Sequence, residues 1–219
     1  MTSPRTMLQF ARFALVFAAS LAATAPPLTA QDQAGEFDYY ILSLSWQPAW
    51  CAQQQETGGA CRKGAAVGFT MHGLWPQHER GWPDDCPTPE RDPTRSQTRA
   101  MADIMGSQGL AWHEWKKHGR CSGLSAEAYF TLSREAWGRV TLPRAFEKVT
   151  SALRVKPRAI EAAFMAANPG LRPDAVSIKC RDGRITEVRI CMERDLDFRI
   201  CSPDARRDCQ TSSRLDPLR

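Results

Sequence analysis

Apolar residues recur along this chain in two rhythms. From Phe37 to Trp46 the run Phe-Asp-Tyr-Tyr-Ile-Leu-Ser-Leu-Ser-Trp is rich in β-formers. It alternates apolar with small polar positions from Leu42 onward, which predicts a central strand stopped by Gln47-Pro48. Cys51 and Cys61 then bracket a Gln- and Gly-rich loop, and Val67 to Met71 predicts a short strand delivering His72 at its end. Residues 78 to 97, dense in Pro, Asp, Arg and Gly, predict a long surface loop holding Cys86. Thr98 to Met105 suits a short helix, broken by Gly106 and Gly109. The helical period is clearest next. Ser125 caps Ala126 to Trp137, with Tyr129, Leu132, Ala136 and Trp137 on its apolar side. Pro157 opens a helix carrying Ile160, Ala163, Phe164 and Ala167, and Asn168-Pro169-Gly170 ends it. From Ala175 the alternation returns. Val176 to Cys180 turns through Asp182-Gly183 into Ile185 to Cys191, and Leu196 to Cys201 is expected to pair next. The polar tail after Cys209 is expected to fray. There is no internal repeat, low-complexity tract or linker to divide off a second domain.

Composition changes this picture at the N-terminus. Residues 1–30 contain no acid, and Arg5 and Arg12 precede an apolar run from Phe13 to Ala25. With small Ala30 at its end, the segment predicts a secretory signal peptide, leaving 31–219 as the mature domain. The run is short for a bilayer span, and polar Gln31-Asp32-Gln33 follows at once, which disfavours an uncleaved anchor. About 190 residues suffice for one domain with a real core. All eight cysteines (Cys51, Cys61, Cys86, Cys121, Cys180, Cys191, Cys201 and Cys209) fall in the mature part. An even number behind a signal peptide predicts four disulfides in an oxidising compartment, although about 105 pairings are open to eight cysteines. No Cys-x-x-Cys knuckle suggests structural zinc. Net charge is +5, two of it from Arg5 and Arg12, so the mature chain is a mildly basic +3. That balance does not by itself demand nucleic acid.

Placement of charge is more informative. The ten residues Trp112 to Cys121, Trp-His-Glu-Trp-Lys-Lys-His-Gly-Arg-Cys, hold two of the chain's four histidines. As a helix turning about 100° per residue, with His113 at zero, the stretch puts Lys117 near ~40°, Glu114 near ~100° and His118 near ~140°. One face would then carry two imidazoles, a carboxylate and an ammonium, with Trp115 directed to the core behind it. Lys116, Lys117 and Arg120 around the histidines form a setting for a phosphate. A solvated amphipathic face is the plainer alternative. Scarcity of histidine speaks against it, because another of the four sits in a second dense motif, Phe69-Thr70-Met71-His72-Gly73-Leu74-Trp75-Pro76-Gln77. Zinc on a His-Glu-x-x-His helix needs histidines four apart, and His113 and His118 are five apart.

His72-Gly73-Leu74-Trp75-Pro76 and His113-Glu114-Trp115-Lys116-Lys117-His118-Gly119 resemble the two active-site segments of the ribonuclease T2 family. Their order and separation, the cysteine after the second segment, the opening strand and the Cys-rich C-terminal hairpins are similar too, over nearly all of residues 36 to 209. The resemblance implies an α+β fold, mainly an antiparallel sheet flanked by helices. It implies cofactor-free and metal-free endonucleolytic cleavage of single-stranded RNA with little base specificity, by a secreted or periplasmic monomer that spares DNA. By the same resemblance His118 is the general base, His72 the general acid, and His113 holds the phosphate. Glu114 and Lys117 stabilise the pentacovalent phosphorus. Cys51 pairs with Cys61, Cys86 with Cys121, Cys191 with Cys201, and Cys180 with Cys209. Trp75 resembles a base-stacking position, with packing beside Pro76 as its alternative. Trp46, Trp50 and Trp82 read as core or loop anchors, and His78 as an ordinary exposed histidine.

The chemistry agrees. Phosphodiester transesterification needs one group to remove a proton and another to donate one, and histidine does either near neutral pH. Charge grows on the non-bridging oxygens, where Lys117 or a protonated His113 helps most. Glu114 fits less well, since an ionised carboxylate repels phosphate. It either holds a proton or orients a neighbouring imidazole. A secreted binding protein that kept the fold without the chemistry is the rival class, and the full complement of motif residues argues against it.

Overall fold

The computed structural model describes residues 32–219, so the expected signal peptide lies outside the described residues. Six strands run in chain order as β1 Tyr39–Trp46, β2 Phe69–Gln77, β3 Leu153–Val155, β4 Val176–Arg181, β5 Arg184–Met192 and β6 Ser213–Leu215. Six helices accompany them: α1 Gln47–Gln54, α2 Arg95–Ala100, α3 Ala102–Met105, α4 Gln108–Lys117, α5 Ala126–Gly138 and α6 Pro157–Ala167. Together they form a single α+β domain.

The sheet is ordered β2-β1-β5-β6-β3, with β4 also pairing to β5. All neighbours are antiparallel except β5 and β6. Strand β1 is central for the reason its alternation gives. Tyr40, Leu42, Leu44 and Trp46 enter the main core, and Tyr39 and Ile41 join a smaller cluster with Cys191 and Cys201. Trp46, fully buried, packs its ring 4.9 Å from Phe69, and Phe69 in turn lies 5.2 Å from Phe146 and 5.3 Å from Phe164 of α6. Helix α5 starts at its Ser125 cap and buries Tyr129, Phe130 and Ala136, while Pro157 opens α6. Asp182 and Gly183 take positive φ in the tight turn between β4 and β5. Four disulfides join Cys51–Cys61, Cys86–Cys121, Cys180–Cys209 and Cys191–Cys201. Among the described residues no helix is long and apolar enough to cross a membrane.

Several local expectations fail, each for a non-local reason. Strand β2 does not stop before His72 but runs on to Gln77 through Pro76. It lies at the end of the strand order, where a missing N–H costs no ladder bond. The residues after Trp46 form α1 rather than only a loop, with Pro48 in the first turn where its lost N–H does not matter. The helix expected over Thr98–Met105 is two short ones, the first starting earlier on a Thr94–Gln97 capping box. Gly109 breaks nothing, since it lies inside α4, which Ser107 caps. Leu196–Cys201 forms no strand; one bridge, Met192 to Phe198, is its only ladder contact. The tail is not frayed either. Leu215 is buried in β6, and Asp216 accepts from Arg184 and Arg214 while its carbonyl accepts from the Trp46 indole. Trp50 and Trp82, expected as anchors, are exposed.

Candidate active site

The first imidazole stands on a bulge. In the β1–β2 register Ser43 faces Gly73 and the next residue, Leu44, faces Met71, so His72 is the extra residue with no partner on β1. A bulge bends the strand and re-aims the side chain it carries. His72 is turned so that Nδ1 lies 2.8 Å from Glu187 Oε1 and Nε2 lies 3.6 Å from Glu114 Oε1. Burial works against charge on this ring, but the two carboxylates outweigh it and raise its pKa above the ordinary value.

Glu114 and His118 come from the end of α4. Helix α4 stops at Lys117, and His118 is its cap, with φ −120° and ψ −44°. The expected single helical face therefore does not exist. Glu114 points inward and is 1% exposed, His118 leaves the helix and is 8% exposed, and His113 is exposed. Gly119 makes the turn possible, because a Cβ there would come within 2.7 Å of the Trp115 ring and 2.8 Å of Tyr129. Asp85 N–H donates to the Lys117 carbonyl, and the Cys86–Cys121 bridge fastens the same turn to the preceding loop.

Trp75 joins the two halves. Its Nε1–H donates to Glu114 Oε2 at 2.6 Å, its ring centroid is 5.0 Å from that of His118, and Arg189 sits over it at 4.7 Å. Packing therefore accounts for much of this indole, which is only partly exposed. Gly73 is required between them. Any Cβ would overlap the Glu114 carboxylate and the Trp75 nitrogen. Burial pushes Glu114 up to about 7 despite the opposing pull of His72 and the indole. Glu114 is thus a buried carboxyl that is partly protonated near neutral pH and lies 3.6 Å from the His72 imidazole. His118 is pushed down to about 3 by burial, then by the charges of Lys117, His72, His113 and Arg189. It is a neutral imidazole whose Nδ1 is buried without a partner among the described residues.

The structure thus brings His72, Trp75, Glu114 and His118 together. His113 and Lys117 act on His118 through their charge, and the Lys117 ammonium lies 4.0 Å from Asp84. Arg120 is not turned to the site: it pairs with Asp92, which also accepts from the buried Trp115 indole. Two residues went unread in the sequence. Glu187 and Arg189 lie two apart on β5, and Arg189 donates to Glu187 Oε2 from Nε at 2.9 Å and Nη2 at 2.7 Å. The available signal was a charged pair inside a strand whose Ile185, Val188 and Ile190 are fully buried. A cleft of about 890 Å³ opens beside His72, Glu187 and Arg189, with Gln47, Trp50 and Leu110 on its walls.

Residues 37–209 match the model of the ribonuclease T2 family. The chain belongs to that family. A ribonuclease of Aeromonas hydrophila is 42% identical over 48% of this chain and 47% of its own length. A probable ribonuclease of Haemophilus influenzae is 32% identical over 52% of this chain and 47% of its own. The chain spans about half the length of these curated relatives. Among solved structures, RNase NT in complex with 5′-AMP superposes with a TM-score of 0.60 at 23% identity, covering 83% of this chain and 99% of that one. At that identity the likeness shows the T2 fold. Within this T2 domain, His72 and Trp75 come from one motif and Glu114 and His118 from the other, and only the fold makes them neighbours.

Proposed function

We propose that this T2-family protein is an endoribonuclease that cleaves single-stranded RNA by metal-independent transesterification. The observation that carries the reading is two imidazoles of opposite character packed on one indole, Trp75. His72 lies between two carboxylates that favour its proton, and His118 lies among cations that deny it one. A ring nitrogen of His118 takes the proton of the ribose 2′-hydroxyl, and the 2′-oxygen forms a bond to the adjacent phosphorus. The bond from phosphorus to the 5′-oxygen breaks, and His72 Nε2 gives that oxygen a proton. The products are a 2′,3′-cyclic phosphate and a free 5′-hydroxyl. With its pKa raised to about 7, Glu114 is partly protonated near neutral pH, which weakens the repulsion an ionised carboxylate would exert on the phosphate, and Lys117 and His113 meet the developing charge. The Trp75 face stacks on any base with modest preference, hence low base specificity.

DNA, lacking the nucleophile, should survive intact even if it binds, and paired RNA is a poor substrate because duplex geometry resists in-line attack. In the same reading residues 1–30 are a cleaved export leader, and the mature chain is a secreted or periplasmic monomer. N-terminal sequencing of exported protein should begin at Gln31. The mechanism is tested with an RNA oligonucleotide carrying one 2′-deoxy residue, incubated in excess chelator. Every linkage should be cut except the one 3′ of the deoxy residue. Cleavage there, or activity that vanishes in chelator, refutes the mechanism.

A further inference from the structure

Nothing in the His72 backbone fixes its ring. The bulge frees the residue from the β1 ladder, and a free imidazole rotates and exchanges its tautomers. The outer face of the sheet supplies the missing constraint. On β1, Ser45 faces Glu187 and Ser43 faces Arg189. These two serines are the small positions of the central strand. They leave room for two long β5 side chains to lie across β1 toward β2, where Glu187 meets His72 and Arg189 meets Trp75.

We propose that Glu187 is a positioning residue for His72: its carboxylate holds Nδ1–H, so the transferable proton sits on Nε2, and Arg189 fixes Glu187 in turn. The proposal rests on the general-acid role given to His72 above. Two carboxylates flank the ring, and the distances assign their parts. Glu187 at 2.8 Å makes the hydrogen bond, and Glu114 at 3.6 Å leaves Nε2 free to face a departing oxygen. Their charges agree with that division. Burial opposes ionisation of Glu187, yet His72 and Arg189 overcome it and hold its pKa at about 2, whereas Glu114 is pushed up to about 7. Glu187, 14% exposed, has little solvent contact to replace these partners, and an unpaired carboxylate there would be costly. Its orientation is therefore over-determined, as an anchor for a catalytic ring must be.

The alternative is that Glu187 and Arg189 only fill the sheet face as an ion pair. Leaving-group dependence separates the two. An alkoxide needs a proton to depart and a nitrophenolate does not, so a defect in the acid shows on the first substrate and fades on the second. Full-length protein carrying Glu187→Ala or Glu187→Gln is compared with wild type on a ribodinucleotide and on a uridine 3′-(4-nitrophenyl phosphate). Expected for Glu187→Ala is a kcat about 10–100-fold lower on the dinucleotide, with KM within about threefold. On the aryl ester the deficit should shrink to about threefold or less. The descending limb of kcat/KM against pH should move to lower pH, since His72 loses the carboxylate that raises its pKa while Glu114, Arg189 and His118 remain around it. Glu187→Gln, which keeps an acceptor for Nδ1–H, should recover part of kcat. Equal losses on both substrates, or a loss in KM alone, overturn the proposal. His72→Ala is the reference. If it shows no preference for the aryl ester, the acid role itself is wrong; if it does and Glu187→Ala does not, only the positioning role falls. Should neither Glu187 variant fold, the wild-type tautomer decides: nitrogen NMR should find the neutral His72 protonated at Nδ1, and an Nε2–H tautomer overturns the proposal.

Discussion

His72 and His118 are the same side chain on two different supports. His72 is delivered by a strand, at a bulge, with one carboxylate on each ring nitrogen. His118 is delivered by the cap of a helix, is less exposed to solvent, and has cations rather than carboxylates around it. Yet both rings pack on one indole, with centroids 5.1 Å and 5.0 Å from that of Trp75. Residue type therefore leaves the protonation of the two rings undecided, and the surroundings set it. Burial disfavours the imidazolium at both positions, and only at His72 is there enough opposite charge to reverse it.

The largest effect should come from removing either partner. His118→Ala and His72→Ala should each lower kcat on RNA by about 10²–10⁴-fold. Their pH profiles should break in opposite ways: His118→Ala should lose the ascending limb of kcat/KM and His72→Ala the descending one, as measured by initial rates from pH 2 to 9. Wild type should show both limbs, with the ascending one displaced well below the ordinary histidine range toward about 3.

A smaller effect concerns the support of the helical side alone. Replacing Cys86 and Cys121 together with alanine reopens a loop of 35 residues and should cost about 3–4 kcal/mol of unfolding free energy in the chain-entropy model. Because that bridge fastens the turn after His118, the NMR resonance of His118 should broaden or shift and that of His72 should stay in place. Urea melts and imidazole spectra of the double variant check both.

Opposite pKa shifts also predict opposite stability slopes. In the folded chain His118 titrates near about 3 and in the unfolded chain near ~6.5, so acidification below ~6.5 protonates only the unfolded state and lowers stability. Glu114 is the reverse. Its folded pKa of about 7 exceeds the unfolded value of ~4.3, so its contribution is full at low pH and is lost as pH rises toward 7. Relative to wild type, His118→Gln should gain on the order of 2–3 kcal/mol between pH 6.5 and 4.5 as the solution is acidified. Glu114→Gln should lose a similar amount over the same change. Denaturant midpoints at the two pH values give the signs, and equal signs for both variants would contradict the assigned environments.

The smallest effect sits where the two sides touch. Gly73→Ala presses a methyl group against the Glu114 carboxylate and the Trp75 nitrogen, and should cost about 1–3 kcal/mol in thermal or chemical unfolding. Its effect on kcat should exceed that of Gly138→Ala, where a Cβ meets open space.

Much of this was legible from local pattern. Strand β1, helices α5 and α6 and the turn at Asp182-Gly183 follow from alternation, caps and turn residues that act within a few positions. Other features were hidden because their causes lie far away in sequence. The polar tail is ordered because Asp216 meets Arg184 and the Trp46 indole, 32 and 170 residues away. Projecting Glu114 and His118 onto one helical face went wrong because the helix ends one residue early, at a cap dictated by Gly119 and the rings it packs against.

The residues alone determined which groups are available: two histidine motifs, an oxidisable set of cysteines and the mark of the T2 family. They also determined the two central serines, whose meaning depends on what lies beside them. Only the tertiary structure decided that His72 occupies a bulge, that Glu187 reaches it across Ser45, and that His118 is buried beside cations. The reason is physical. Burial and charge at a site are sums over neighbours from every element packed against it. Glu187 stands 115 residues from His72, and strand pairing alone brings them within hydrogen-bond reach.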